Sequence, residues 1–527
     1  MLKRVISLYI VFAVCMAVLL GRIVYINNSP YSEAAKGRTT RTLIVGEKRG
    51  YIYDRNYVRL TNSKSQLIAV ATPAAGAAKY LSEYMAGEEL YSKINEGFPF
   101  KLNVRREINN ELVKTFSVPV RYTENQTAVH LIGYTDSSGT SGVTGIERAY
   151  NTYLKQSSGS LSVSFEADAR GRILSGMDKR INDDNFSSEA GVVLTIDSEI
   201  QKITEKALRE SKIESGCALV MHVDNGEILS MASVPTYDPE NVGASLNDEN
   251  SPLVNKALQS YSVGSVFKPL VAAAALESGI PFETQYECKG EIRVGDTVYG
   301  CYNGKHHGKI NMTEALEQSC NTYFVSLIMN MDADLLLSLC RQMNLGKADI
   351  LADGFSTAAG LLPESESISN KGVLANLSFG QGELLMTPVQ MLKLYHCLAT
   401  GNYTDARLVR GIADERCMLT EQGGVTPKKV LSASTVLTLR QMLQSVVEKG
   451  NAPDAKSEIV SLSGKTGTAQ SGIFHKGREI CRTWFAGFFP SDNPHYIVVV
   501  LSEKGVSGNT DCAPVFRKIC EGIVGFQ

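Results

Sequence analysis

The chain has 527 residues, enough for two or three domains at about 150 residues each. Its 53 Lys+Arg against 55 Asp+Glu leave a formal net charge of −2; with no basic excess and no basic run, a nucleic-acid partner is not expected. A content of 43% hydrophobic and 20% charged residues excludes both a mostly disordered chain and a polytopic membrane protein.

The first element is a membrane segment. Positions 5–21 read VISLYIVFAVCMAVLLG without a charge, and the apolar run resumes after Arg22 with Ile23, Val24, Tyr25 and Ile26. A spanning helix needs about 20 such residues, and Arg22 can snorkel to the interface. Lys3 and Arg4 precede the run, which by the positive-inside bias holds the N-terminus in the cytoplasm and sends the rest outside. A cleaved signal peptide shares the basic start, but no small-x-small cleavage site follows and the stretch is long for one. Residues 1–28 are therefore expected to form an uncleaved single-pass anchor.

Residues 29–190 are polar and mixed. RGYIYDRNYVRLT (49–61) and GYTDSSGTSGVTGIERAYNTYL (133–154) predict short strands and turns with one amphipathic helix, IERAYNTYLKQ, as in an extended pedestal without one dense core. Residues 191–527 interleave strands and helices. In GVVLTIDSEIQKITEKALRESK a β-branched strand runs into a helix, with Asp197 placed to accept from its first-turn amides. CALVMHVDNGEILSMAS predicts a hairpin turning at Asp224, Asn225 and Gly226. An alanine-rich helix near 265–278 stops at Gly279, and further helices are expected near 312–344 and 387–399. RTWFAGFFP and HYIVVVLSEKG predict adjacent antiparallel strands, followed by a final helix, APVFRKICEGIV. The fold class is α+β, with helices packed on an antiparallel sheet in a C-terminal domain of about 330 residues.

The chain carries eleven cysteines. Cys288 and Cys301 bracket a turn-rich 14-residue piece and could be bridged in an oxidising compartment. Cys512 and Cys520 are eight apart on one expected helix, roughly 12 Å and too far for a bridge. A zinc site of Cys288, Cys301, His306 and His307 lacks a close CxxC pair; neither metal nor cofactor is expected.

Ser265 and Lys268, in SVGSVFKP, are three apart at the start of the alanine-rich helix. That spacing puts both side chains on one face, about 5–6 Å apart at Cβ, where the amine can accept the hydroxyl proton. The helix N-terminus offers amides to a developing oxyanion, and Pro269 is tolerated in the first turn. From an ordinary pKa of about 10.4, a lysine is neutral in only about one molecule in 2,500 at pH 7. Burial and a second positive charge would lower it, and Lys465 in SGKTGTAQSG is the candidate for that charge. Gly464 and Gly467 beside it would let a substrate backbone lie along the strand. In QSCNTYF the outer residues Ser319 and Asn321 can face one way while Cys320 faces the other. Each pattern alone is common. Together, in the order SxxK, SxN, KTG, they are specific.

With these motifs the chain resembles the class B penicillin-binding proteins, monofunctional peptidoglycan D,D-transpeptidases, over nearly its whole length. RGYIYDRN, GVTGIERAY, VVLTIDSEIQ, MASVPTYDPEN and SFGQGELLMTPVQM (378–391) add to the resemblance. Tyr57, Val263 and Val266 depart from it, the first at a usual turn glycine, the others beside the serine where Pro and Thr are common. The resemblance implies an N-terminal anchor, a pedestal (29–190) and a transpeptidase domain (191–527). It implies Ser265 as nucleophile, Lys268 as its base, and Ser319 with Lys465 as proton relay to the leaving amine. Asn321, Thr466, Gly467 and Thr468 would bind the stem peptide, with the backbone amides of Ser265 and Thr468 as oxyanion hole. Its implied partners are peptidoglycan stem peptides, β-lactams as covalent inhibitors, and a polytopic SEDS glycosyltransferase. A D,D-carboxypeptidase or serine β-lactamase would use the same residues with water as acceptor, but the long pedestal and anchor speak against it. A bifunctional polymerase would need a glycosyltransferase domain where RGYIYDRN stands. A non-catalytic scaffold or β-lactam sensor is disfavoured by the intact triad.

Overall fold

The chain's architecture comes from a computed structural model, which describes residues 2–29, 40–168, 171–174, 179–475 and 478–526. Residues 30–39, inside the segment expected to begin the pedestal, lie outside the described residues, as does Met1 at the start of the expected anchor. The uncharged N-terminal run forms one helix, α1 (Leu2–Asn27). Its stretch Arg4–Asn27 is long and apolar enough to cross a membrane and buries none of its surface in the protein.

The remainder divides into two compact units whose last crossing, 188/189, lies beside the expected boundary at 190, with four earlier crossings besides. One contains residues 1–49, 62–121 and 157–188; the other contains 50–61, 122–156 and 189–527. The first holds two three-stranded antiparallel sheets: Thr40–Lys48, Gly159–Glu166 and Arg180–Asp184 in that order, and Lys64–Ala71 between Phe100–Val104 and Val113–Val120. Strand alternation splits residues 68–71 between two small cores. Ala69 and Ala71 pack with Leu81, Leu90 and Val113, whereas Ile68 and Val70 pack with Val45, Val163 and Phe165.

The RGYIYDRN segment from Gly50 on, and IERAYNTYLKQ, belong to the second unit. Tyr51–Tyr53 adds parallel to Gly191–Leu194, and Ile52, Leu60, Ile146 and Leu154 join that unit's core. The helix expected over IERAYNTYLKQ is two, Gly145–Ala149 and Asn151–Gln156. The break at Tyr150 follows from the backbone there, φ −104° and ψ 23°, outside the helical well.

Asp197 caps α2 (Ser198–Arg209), accepting from the amides of Glu199 and Ile200. The predicted hairpin is β1 (Gly216–His222) and β2 (Ile228–Val234), with Gly226 at φ +67° in its turn. The alanine-rich segment forms α3 (Lys268–Glu277), followed by Gly279 at φ +83°. Residues 312–344 form Met312–Glu317, then α4 (Asn321–Met329), then Ala333–Gln342. After α5 (Pro388–Thr400) and α6 (Ala433–Glu448) come β3 (Ser463–His475), β4 (Arg478–Phe489), β5 (Tyr496–Gly505) and α7 (Ala513–Phe526). The five strands form one antiparallel sheet in the order β2-β1-β5-β4-β3, which leaves β3 at its edge.

Alternation along β4 sends neighbouring side chains to opposite faces. Trp484 donates its Nε1–H to the Ser262 carbonyl at 2.9 Å on one face. Phe485 meets Phe516 of α7 on the other, with ring centroids 4.4 Å apart. None of the eleven cysteines is in a disulfide. The Cys288–Cys301 bridge that the sequence leaves open is not formed; the two Sγ atoms stand 3.7 Å apart, beyond the length of a disulfide, about 2 Å.

Candidate active site

Ser265 lies in a 3-10 turn, Gly264–Phe267, directly ahead of α3. Pro269 sits in the first turn of α3, where a missing amide costs no helical hydrogen bond. The turn is held on several sides. Gly264, at φ +69°, donates its amide to the Gly380 carbonyl at 2.7 Å. The Tyr395 hydroxyl donates to the Val266 carbonyl at 3.0 Å. A Cβ on Gly380 would stand 2.0 Å from the Gly264 oxygen, so the SFGQG stretch can approach only without a side chain there. On the other side, a Cβ on Gly467 would stand 2.9 Å from Val266 Cγ1 and 3.1 Å from the Val263 oxygen. Gly467 was expected to make room for a substrate backbone; its neighbour in the structure is the serine turn itself. Val263 and Val266 are fully buried packing residues.

Lys268 is fully buried. Its Nζ donates to the Ser319 carbonyl at 2.7 Å, Ser319 Oγ at 3.2 Å and Asn321 Oδ1 at 2.7 Å, and lies 5.6 Å from the centroid of the Phe324 ring. Ser319 and Asn321 both turn toward the amine while Cys320 faces the buried interior, and the turn sets Ser319 at φ +53°. A non-glycine residue in that region is held there at some cost, of the kind that clusters at functional sites. Burial lowers the Lys268 pKa from 10.5 to about 7, against a smaller opposing pull from the thiols of Cys320 and Cys301.

Lys465 projects from β3 and is likewise fully buried. Its Nζ donates to the Thr466 carbonyl at 3.2 Å and Thr466 Oγ1 at 3.4 Å, and Thr466 Oγ1 donates to Asn451 Oδ1 at 3.3 Å. Burial first, and then repulsion from the Lys268 ammonium, push its pKa well below the ordinary value. The repulsion between the two buried ammonium groups is mutual, so each disfavours the other's charged form. A ligand carboxylate placed beside Lys465 would return its proton.

The Ser265 turn, the Ser319–Asn321 turn and the Lys465–Thr468 strand, far apart in sequence, thus adjoin through Lys268 and Gly467. Thr466 is buried, whereas Thr468 is exposed and accepts from the Gly508 amide at 3.4 Å. Because β3 is an edge strand, its outer side can take an extended peptide by strand addition. Gly380, Tyr395, Asn451 and Phe324 were not singled out beforehand. Gly380 had a visible signal, a second glycine two residues on in SFGQG; the other three had none, because each depends on a tertiary neighbour.

The profile of the penicillin binding protein transpeptidase domain matches residues 216–521. The chain is 28% identical over 544 aligned positions to stage V sporulation protein D of Bacillus subtilis (strain 168), covering 95% of this chain and 81% of that one. It is 27% identical over 421 positions to peptidoglycan D,D-transpeptidase FtsI of Escherichia coli (strain K12), covering 76% and 66%. Among solved structures, a chain described under "Structural coordination of polymerization and crosslinking by a peptidoglycan synthase complex" superposes with TM-score 0.71 at 24% identity, over 99% of both chains. Penicillin binding protein 3 of Mycobacterium tuberculosis, complexed with ampicillin, gives 0.66 at 23% identity, over 92% of this chain and 96% of that one. At such identities these structures speak for the fold.

Proposed function

The chain belongs to the penicillin-binding protein transpeptidase family, in its class B, and from that premise we propose that it cross-links peptidoglycan stem peptides through an acyl ester on Ser265. The observation that carries this reading is the buried Lys268 amine, held at a pKa of about 7 one helical turn from Ser265 and bonded to both outer residues of the SCN triplet. A base poised near working pH is what general-base catalysis needs.

Lys268 takes the Ser265 hydroxyl proton as Oγ attacks the carbonyl of the penultimate D-Ala. The tetrahedral oxyanion is met by the amides of Ser265 and Thr468, each worth on the order of 10²- to 10³-fold. The C–N bond then breaks; Ser319, assisted by Lys465, delivers a proton to the departing D-Ala amine and takes up the one held by Lys268, whose Nζ lies 3.2 Å from its Oγ. An amine from a second stem attacks the ester, forms the cross-link and returns the proton to Ser265. Asn321 holds a donor-stem amide, and Thr466 and Thr468 hold its carboxylate end along β3. β-Lactams acylate Ser265 by presenting a strained amide in place of D-Ala-D-Ala.

In this reading α1 anchors the protein with its N-terminus in the cytoplasm and the catalytic unit outside, and a SEDS glycosyltransferase supplies nascent glycan. The supports are Arg4 before the apolar run and the family resemblance. The deciding experiment labels the full chain and a Ser265→Ala variant with fluorescent penicillin, then assays cross-linking of nascent glycan. Label retained by the variant rejects Ser265 as nucleophile; labelling with D-Ala release but no cross-links favours a carboxypeptidase. Replacing residues 5–26 with an unrelated anchor should weaken the polymerase complex, and an unchanged complex removes the anchor from that contact.

A further inference from the structure

Outside the reacting groups, one cluster of side chains has no part in the mechanism above. Cys288, Cys301, His307 and Cys320 bring three Sγ atoms and one imidazole nitrogen within 4.8 Å of one another. His306, the alternative ligand in the sequence, is exposed. Cys320, the middle residue of the SCN triplet, takes its place, which sequence spacing concealed because 320 lies far from the 288–307 segment.

We propose that these four side chains bind a zinc ion, and that the ion fixes the Ser319–Asn321 turn against which Lys268 is held. The first argument is geometric. Zinc in a tetrahedral thiolate site has Zn–S of about 2.3 Å, which sets sulfur atoms about 3.8 Å apart, and an imidazole nitrogen about 3.6 Å from each sulfur. The Cys288–Cys301 and Cys301–Cys320 sulfur pairs stand at 3.7 and 3.6 Å, and Cys288 Sγ lies 3.3 Å from His307 Nδ1. Disulfide sulfurs would sit at about 2 Å.

The second argument is the surroundings. All three cysteines are buried and His307 is half-buried, as in a closed structural site rather than a catalytic one with an open position. Soft thiolates with one imidazole select zinc over magnesium or calcium. The sulfurs also have a second layer of donors. Thr322 Oγ1 lies 3.2 Å from Cys288 Sγ and 3.3 Å from Cys320 Sγ, and the Tyr323 amide, at the N-terminus of α4, donates to Cys320 Sγ at 3.4 Å. Such outer donors orient ligands and disperse thiolate charge.

The third argument is connectivity. Cys288 ends the strand Tyr286–Cys288, paired to Gly308 beside His307. Cys301 follows Gly300, whose carbonyl accepts from Asn321 Nδ2 at 3.0 Å. Cys320 caps α4 and separates Ser319 from Asn321. The ion would therefore cross-link the 286–308 segment to the triplet, acting as a positioning element for Ser319, Asn321 and through them Lys268. Binding replaces three S–H protons with three Zn–S bonds and involves no electron transfer, so uptake releases protons and weakens in acid.

The test uses full-length protein purified in detergent without chelator. Elemental analysis should return about one zinc per chain, and Cys301→Ser and His307→Ala should each lose it. Cobalt(II) exchanged into the wild type should give thiolate charge-transfer absorption with intense tetrahedral d–d bands. Protein that stays metal-free when supplied with zinc, or whose mass shows two hydrogens lost to a Cys288–Cys301 or Cys301–Cys320 disulfide, overturns the site. The positioning role rests on the transpeptidase reading and is measured separately: stripping the metal should slow fluorescent penicillin labelling at least tenfold, with recovery on adding zinc. Labelling equally fast in metal-free, folded protein overturns that role. Zinc at one per chain without labelling in either form rejects the transpeptidase reading and leaves the metal site standing.

Discussion

Replacing Lys268 with Met should stabilise the catalytic unit at neutral pH while abolishing its acylation. The side chain is fully buried, and Met approximates its length and volume without the amine. The folded pKa of about 7 lies below the ordinary 10.5, so at pH 7 the unfolded state binds more protons than the native one. Lowering a pKa by that much costs the wild type about 4 kcal/mol at pH 7. Against this, the variant leaves the Ser319 and Asn321 acceptors without a donor, at about 1–3 kcal/mol. The net expectation is about 1–3 kcal/mol of stabilisation at pH 7, a rise of a few degrees in Tm. Wild-type stability then increases with pH between 7 and 10.5 as the unfolded lysine also loses its proton, and near pH 10.5 the order of the two proteins reverses. Trp484 is the chain's single tryptophan, fully buried in β4 of this unit, so its fluorescence during thermal unfolding follows this unit specifically. A difference in Tm between Lys268→Met and wild type that stays constant from pH 7 to 10 would refute the argument.

The acylation rate by penicillin should fall about tenfold per pH unit below 7, as Lys268 takes up its proton; Lys465, Cys301 and Cys320 are the titratable groups facing it, and a rate flat down to pH 5.5 would exclude Lys268 as the base. Gly467→Ala places a Cβ against Val266 and the Val263 carbonyl and should cost about 1–3 kcal/mol with slowed labelling, partly restored by Val266→Ala; unimpaired labelling in the single variant would mean that β3 and the serine turn do not need their close approach. Gly380→Ala combines φ +76° with a contact of 2.0 Å to the Gly264 oxygen, and should lose most labelling while Trp484 fluorescence still shows a folded unit at low temperature. Deleting residues 2–27 should release the protein from membranes in fractionation, and persistent membrane association would point to a second attachment.

Much of the second unit was legible because its signals are local. Asp197, the turn at 224–226 and Gly279 each act within a few residues, and the apolar periodicity of 482–505 names two strands that pair in sequence order. The triplet's geometry was legible for the same reason. What escaped depends on burial and chain return. The bracing of Gly264 by Gly380 joins residues 116 apart in the chain. Cys320 read as a spacer between two polar residues because nothing in its own neighbourhood reveals the cysteines it meets. The linear boundary at 190 lies beside the last crossing, 188/189, and the four earlier ones escaped because RGYIYDRN and GVTGIERAY are short and turn-rich, and their apolar residues are too few to show which core they enter.

The interleaving of the two units has a consequence for synthesis. The chain passes between them at 49/50, 61/62, 121/122, 156/157 and 188/189, so the first unit cannot be completed before residue 188 has been made, and the pieces 50–61 and 122–156 of the second must wait for residues after 188. Strand Tyr51–Tyr53 must wait for Gly191–Leu194, its ladder partner, some 140 residues later. Cutting the gene at codon 190 would strip Ile52, Leu60, Ile146 and Leu154 from the catalytic core and expose the apolar surface they cover. A soluble fragment for biochemistry should instead begin just after the anchor and keep both units in one polypeptide.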